Sequence, residues 1–213
     1  MNEGYNPDVQ SYVRDLFAAE DDILRGIGPA AAAAGLPPIS IGPEEGRFLQ
    51  VVAAAIGARR ALEIGTLAGY SGVWIARALG PEGKLITLDN NARHAEVAAR
   101  TFERAGLAGR VEVRVGGALD LLPALAGEPP FDLVFVDADK ESYPAYLDWS
   151  LKLTRPGAAI LAHNVYLHGD IVVPDGTARV AGMREFNRRL AEDPRLQSTL
   201  VPLRDGMALA IVG

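Results

Sequence analysis

Four apolar runs in this 213-residue chain each stop at a polar side chain, and that pattern narrows the fold more than any other feature. Arg60-Ala61-Leu62 leads to Glu63, Leu85-Ile86-Thr87-Leu88 to Asp89, and Leu133-Val134-Phe135-Val136 to Asp137. The fourth run, Ala158-Ala159-Ile160-Leu161-Ala162, ends in His163-Asn164. Runs of this length, separated by helical patterns, read as parallel strands buried on both faces. In such sheets ligands bind beyond the carboxyl ends of the strands. The polar residues at those ends therefore outline one site.

Helical patterns run from Pro43 to Ile56, Ser71 to Leu79, Ala92 to Ala105, Tyr143 to Leu153 and Val180 to Ala191, with a short one after Asp120. Strands at Val111 to Val115, Ser198 to Leu203 and Met207 to Val212 join the first four, and Pro156-Gly157 reads as a turn. Asp205-Gly206 between the last two strands is a hairpin signal. The expected fold is therefore α/β: a Rossmann-like, doubly wound, mostly parallel seven-stranded sheet with an antiparallel C-terminal hairpin strand. Without an internal repeat or linker, residues 1–213 read as a single domain. Residues 1–40 read as an N-terminal helical arm or lid, because Val9 to Ile27 has near-helical apolar spacing and Gly35 and Pro37-Pro38 end the alanine run after it. A core helix is the alternative.

Composition excludes several classes. Hydrophobic residues are 49% and charged residues 23%, as in average soluble proteins. No apolar run is long enough to span a bilayer, and Met1 to Glu20 is polar and acidic, unlike a signal peptide, so a cytoplasmic protein with no membrane partner is expected. Cysteine is absent, which rules out disulfides and thiolate metal sites. The net charge of −6, with no basic stripe, argues against nucleic-acid binding.

The turn after the first strand reads Glu63-Ile64-Gly65-Thr66-Leu67-Ala68-Gly69-Tyr70-Ser71-Gly72. It lacks the second glycine of a Gly-x-Gly-x-x-Gly dinucleotide turn and the lysine of a phosphate loop. Asp89, at the tip of the second strand, suits the two hydroxyls of a ribose, although an isolated Asp there caps a helix about as readily. Together with Glu63 these features favour a nucleoside and leave open which one.

The turn resembles motif I of class I S-adenosylmethionine-dependent methyltransferases. More narrowly, the chain is similar to the cation-dependent O-methyltransferase family that includes catechol and caffeoyl-CoA O-methyltransferases. The matching segments are Glu44-Glu45-Gly46-Arg47-Phe48-Leu49, the glycine turn, Gly116-Gly117-Ala118, Val136-Asp137-Ala138-Asp139-Lys140 with Tyr143, and Arg204-Asp205-Gly206-Met207. The resemblance runs from about Ile39 to the C-terminus. It implies S-adenosylmethionine as cofactor, held by Glu63, Gly65, Thr66 and Ser71 at the methionine part. Asp89 would take the ribose, Ala118 the adenine, and Ile41 a backbone contact; Asp137 would border both cofactor and reaction centre. The implied reaction is methyl transfer to a hydroxyl of a small phenolic, catechol-like acceptor. A homodimer is the implied assembly.

The reacting end departs from the family at one position. There a divalent cation, typically Mg²⁺, is held by two Asp and an Asn; here the implied ligands are Asp137, His163 and Asn164. Replacing a carboxylate by imidazole removes one negative charge and favours transition ions over Mg²⁺. Three readings stay open for His163: ligand of a shifted metal site, general base of a metal-independent enzyme, or strand-end packing. Lys140 is a second catalytic candidate, as base or as support for the forming oxyanion. Tyr143 and Tyr166 are candidate acceptor contacts beneath a loop from Val165 to Gly176, whereas His94 and His168 read as exposed. Two rival functions remain, a nicotinamide-dependent oxidoreductase and a non-catalytic binder that has lost the metal site.

Overall fold

The computed structural model describes residues 7–174 and 176–213. In chain order the elements are α1 (Pro7–Phe17), α2 (Asp22–Ala33), α3 (Pro43–Ala55), β1 (Arg60–Ile64), α4 (Tyr70–Ala78), β2 (Lys84–Asp89), α5 (Ala92–Arg104) and β3 (Val111–Val115). There follow α6 (Ala118–Leu121), β4 (Phe131–Val136), α7 (Tyr143–Leu153), β5 (Thr154–His163), α8 (Ala178–Glu192), β6 (Leu196–Val201) and β7 (Met207–Val212). They build one seven-stranded sheet in the order β3-β2-β1-β4-β5-β7-β6. The first five strands pair in parallel, and β7 lies antiparallel between β5 and β6. This is the architecture expected from the sequence.

Burial on both faces explains the unbroken apolar runs. Along β4, Leu133 and Phe135 join a core with Leu49, Trp74 and Phe102 from α3, α4 and α5. Val134 and Val136 point the other way, into a second core with Tyr143 and Phe186 from α7 and α8. Side chains alternate along a strand even when all are apolar. The winding direction reverses between β1 and β4, which opens a crevice beyond their carboxyl ends. At that crevice the two backbones touch. Gly65 has φ +103°, and a Cβ there would lie 2.1 Å from the Asp137 carbonyl oxygen. Only glycine fits this crossing.

Three boundaries differ from the sequence reading. The helical pattern through residues 9–27 breaks into α1 and α2, because the Asp21 side chain caps α2 by accepting from the Leu24 amide at 3.0 Å. Leu24, Ile27 and Ala31 of α2 enter the core, whereas Val9, Tyr12, Leu16 and Phe17 of α1 remain exposed. The arm and core-helix readings thus each describe one half of the segment, whose first six residues lie outside the described part. Pro156-Gly157 is not a turn before β5 but lies within it, where the register against β4 shifts. A proline has no amide to give to the ladder, so a bulge is the local solution. Strand β6 begins two residues earlier than expected and stops before Pro202 for the same reason. Among the described residues, no helix is long and apolar enough to cross a membrane.

Candidate active site

The strand ends converge on a cavity of about 600 Å³. On its β1–β2 side the loop after Gly65 is held by Asp89, whose carboxylate accepts from the Thr66 amide (3.1 Å), the Leu67 amide (2.9 Å) and the Asn91 amide (2.9 Å). These bonds steady Leu67 at φ +48°, a costly conformation for a branched residue. His94 Nδ1 also lies 3.1 Å from Asp89. His94 was expected to be exposed and inert, yet it borders the cavity. Helix α5 starts at Ala92, capped by Asn91, so residue 94 sits in the first turn and faces back to the strand tip.

Glu63 behaves differently from its expected role. Ile41, Gly65, Thr66, Ser71, Asp89 and Ala118, which the resemblance assigns to the cofactor, line the cavity, but Glu63 does not border it. It is fully buried one layer behind, accepting from Ser71 Oγ (2.5 Å) and Thr87 Oγ1 (2.6 Å). Thr66 Oγ1 in turn meets Thr87 Oγ1 at 2.6 Å. Burial pushes the Glu63 carboxyl up to about 7, although the Ser71 and Thr87 hydrogen bonds oppose the rise. Glu63 therefore fixes Ser71 directly and Thr66 through Thr87, and both of these border the cavity.

The β4–β5 side holds the ionic groups. Asp137 and Lys140 both border the cavity, and Lys140 Nζ donates to Asp137 Oδ1 (2.9 Å), to the Tyr143 hydroxyl (2.5 Å) and to the His163 carbonyl (3.3 Å). Burial lowers the Lys140 pKa, and the Asp137 carboxylate pulls it back. Tyr143 is wholly buried, with its hydroxyl also near the carbonyls of Val136 and His163, so it supports Lys140 from beneath and does not contact an acceptor. The aromatic side chain that does border the cavity from α7 is Tyr146, hydrogen-bonded to Asp139 at 2.5 Å. Tyr166 packs against Gly206, away from this cavity, and His168 is exposed as expected.

His163 lies just under the cavity floor, 7% exposed. Its Nδ1 is 3.1 Å from Asp137 Oδ2, and its Nε2 is 2.8 Å from Glu45 Oε1 on α3. Burial alone would lower its pKa, but the two carboxylates outweigh burial and raise it to about 9. Asp137 shows the converse: burial would raise it, and hydrogen bonding to His163 with the charge of Lys140 leaves it lowered. An imidazole facing two carboxylates is held as imidazolium. It has no lone pair for the general-base role considered from the sequence.

Residues 15–212 match the O-methyltransferase family. The chain belongs to that family. A catechol O-methyltransferase of Niastella koreensis is 44% identical over 100% of both chains, and one of Mycobacterium tuberculosis is 44% identical, covering 97% of this chain and 96% of the relative. The crystal structure of an O-methyltransferase from Bacillus cereus in complex with S-adenosylhomocysteine superposes with TM-score 0.93 at 41% identity over 100% of both chains. That of TomG from Streptomyces achromogenes, an O-methyltransferase of tomaymycin synthesis in complex with S-adenosylmethionine, gives 0.92 at 41% identity, covering 100% of this chain and 99% of that one. The protein is an S-adenosylmethionine-dependent O-methyltransferase. The nicotinamide and non-catalytic readings fall with that result.

This methyltransferase's cavity suits its cofactor. Gly65 leaves room where any Cβ would strike backbone, the Asp89 carboxylate borders the cavity, and no lysine stands at the β1 turn for a phosphate. The implied cation ligands fit less well. Both Asp137 oxygens face cationic groups, and both His163 nitrogens face carboxylates. Among the described residues, no three His, Cys, Asp or Glu side chains are grouped to hold a metal ion. This donor set does not fit a divalent cation.

Proposed function

We propose that the chain methylates a hydroxyl of a small phenolic, catechol-like acceptor bound above Lys140, between the cofactor cavity and the loop after β5. The observation that carries this reading is the Lys140 ammonium, 9% exposed at the cavity floor and held between Asp137 and Tyr143. The two catechol O-methyltransferase relatives at 44% identity support the acceptor class. Asp89, Thr66, Ser71, Ile41 and Ala118 hold the cofactor, with Glu63 positioning Ser71.

When bound, S-adenosylmethionine supplies an electrophilic methyl carbon, and its sulfur keeps the electron pair of the broken carbon–sulfur bond as the thioether is formed. The acceptor hydroxyl loses its proton to water at the cleft mouth, and its oxygen forms the new bond to carbon. Lys140 donates a hydrogen bond to that oxygen as negative charge develops, which lowers the hydroxyl's pKa and fixes its direction of attack. The longest of its present contacts, 3.3 Å to the His163 carbonyl, is the one an acceptor oxygen would replace. Tyr146 offers the acceptor ring an aromatic wall.

The test is to incubate purified protein with S-adenosylmethionine and a panel of catechols, monophenols, thiols and carboxylic acids. Products are identified by mass spectrometry. Methylated catechols formed in step with S-adenosylhomocysteine are expected; methylation of only a non-phenolic class would overturn the acceptor assignment. The same proposal includes a cytoplasmic homodimer joined through the exposed face of α1, where Tyr12, Leu16 and Phe17 lie uncovered. Light scattering should give twice the chain mass, and Leu16→Glu with Phe17→Glu should give the monomer.

A further inference from the structure

Glu45 reads in the sequence as an acid placed for the dipole of α3, yet its side chain is wholly buried. Oε2 accepts from the Gly42 amide at 2.6 Å, and Oε1 meets His163 across 118 residues of sequence. The groups facing His163 are Glu45 from α3, Asp137 from the end of β4 and Lys140 beyond it, while Arg204 from the β6–β7 hairpin stands 3.8 Å from Glu45. A neutral imidazole can donate through only one nitrogen; the other lone pair would then face a carboxylate oxygen in a buried place. Two protons on the ring satisfy both partners.

The charges then balance. Glu45 and Asp137 carry one negative charge each, and His163 and Lys140 one positive charge each. A divalent ion bound at Asp137 would leave two uncompensated positive charges in a desolvated cluster, which is strongly unfavourable. We propose that His163, held as an imidazolium by Glu45, is a resident cation standing where a divalent ion would otherwise bind, so that the site takes neither Mg²⁺ nor Mn²⁺. His163 offsets the charge of Asp137 and leaves the Lys140 ammonium free to act on the acceptor oxygen. Glu45 is a positioning residue: it touches no substrate and acts by holding the imidazolium in place. The catalytic half of this inference rests on the phenolic acceptor proposed above; the metal half does not.

The experiment has two readouts. Chelator-stripped protein is titrated with Mn²⁺, and free ion is followed by electron paramagnetic resonance for wild type, His163→Asp and the double variant Glu45→Gln/His163→Asp. Wild type should bind no stoichiometric Mn²⁺ at millimolar concentration. His163→Asp, which replaces a cation by a carboxylate, should gain one Mn²⁺ per chain. The double variant guards against misfolding, since a Gln amide can keep the bond to the Gly42 amide without crowding three carboxylates. One Mn²⁺ per wild-type chain would overturn the proposal, as would failure of both folded variants to gain the ion.

The second readout separates positioning from mere support. Glu45→Gln should lower kcat roughly ten- to hundredfold, the worth of one charge-assisted hydrogen bond, while the Kd for S-adenosylmethionine stays unchanged. Glu45→Asp should recover part of that kcat. A variant that keeps full kcat, or loses cofactor binding in proportion, contradicts the positioning role. If wild type methylates no phenol, the proposed function fails, and the Mn²⁺ titration still decides the resident-cation assignment.

Discussion

Replacing His163 by glutamine removes a titrating cation from between Glu45 and Asp137 and puts a neutral amide in its place. The ring's pKa is raised in the folded protein from 6.5 to about 9. A group raised on folding contributes stability that is fully present below its unfolded pKa and is lost as pH climbs through the folded one. The window is therefore pH 6.5 to about 9, and the direction is loss with alkali. At 1.36 kcal/mol for each tenfold change in proton affinity, the full contribution is about 3 kcal/mol, of which about 2–3 kcal/mol remains at neutral pH.

Glu63, also raised by burial, weakens the fold in the same direction as pH rises toward and past 7. Subtraction removes it. The stability difference between wild type and His163→Gln should shrink by about 2–3 kcal/mol between neutral pH and pH ~10, whatever fixed cost the variant carries. Urea unfolding at a series of pH values reads it directly. A difference that stays constant with pH would mean that the folded protein does not hold His163 as a cation, and the two-carboxylate account would fail.

Three further outcomes are expected. Asp89→Asn should weaken S-adenosylmethionine binding roughly ten- to hundredfold by calorimetry, because a charged acceptor for the ribose and the loop amides is lost; an unchanged Kd would remove Asp89 from the cofactor site. Gly65→Ala places a Cβ 2.1 Å from the Asp137 carbonyl at φ +103° and should cost about 3 kcal/mol or more, seen as a lower denaturant midpoint; a midpoint near wild type would refute the backbone crossing. Lys140→Met should reduce kcat by about 10²–10³ while leaving cofactor affinity intact, and a kcat within a factor of a few of wild type would remove its role on the acceptor oxygen.

The sheet was legible because buried parallel strands have no polar face to interrupt them, so each ends visibly where a side chain must meet ligand or solvent. That rule located Asp89, Asp137 and His163 together. It could not say which way each side chain points. Ile64 and Gly65 face the crevice, whereas Glu63 lies buried behind it, held by Ser71 and Thr87. His94 was missed although α5 begins at Ala92 as its pattern implies, because the pattern places the helix and not the way its first turn faces the tip of β2.

The Glu45 contact was the least legible. Its neighbours Glu44 and Gly46 suit an ordinary helix start, and nothing local marks a carboxylate that will be buried against a strand end 118 residues away. The α1–α2 break had a signal in Asp21, a capping residue three positions before Leu24. The near-continuous apolar spacing masked it. Pro156 likewise marked an irregularity correctly but not its kind, since a turn and a strand bulge both accommodate a missing amide.

The most direct test of the whole account is the rate of methyl transfer from S-adenosylmethionine to catechol by metal-stripped protein, with and without excess chelator. Guaiacol and S-adenosylhomocysteine should form together at the same rate in both, because Lys140 and the His163 imidazolium held by Glu45 supply the positive charge. Transfer that stops in chelator and returns with Mg²⁺ would contradict it.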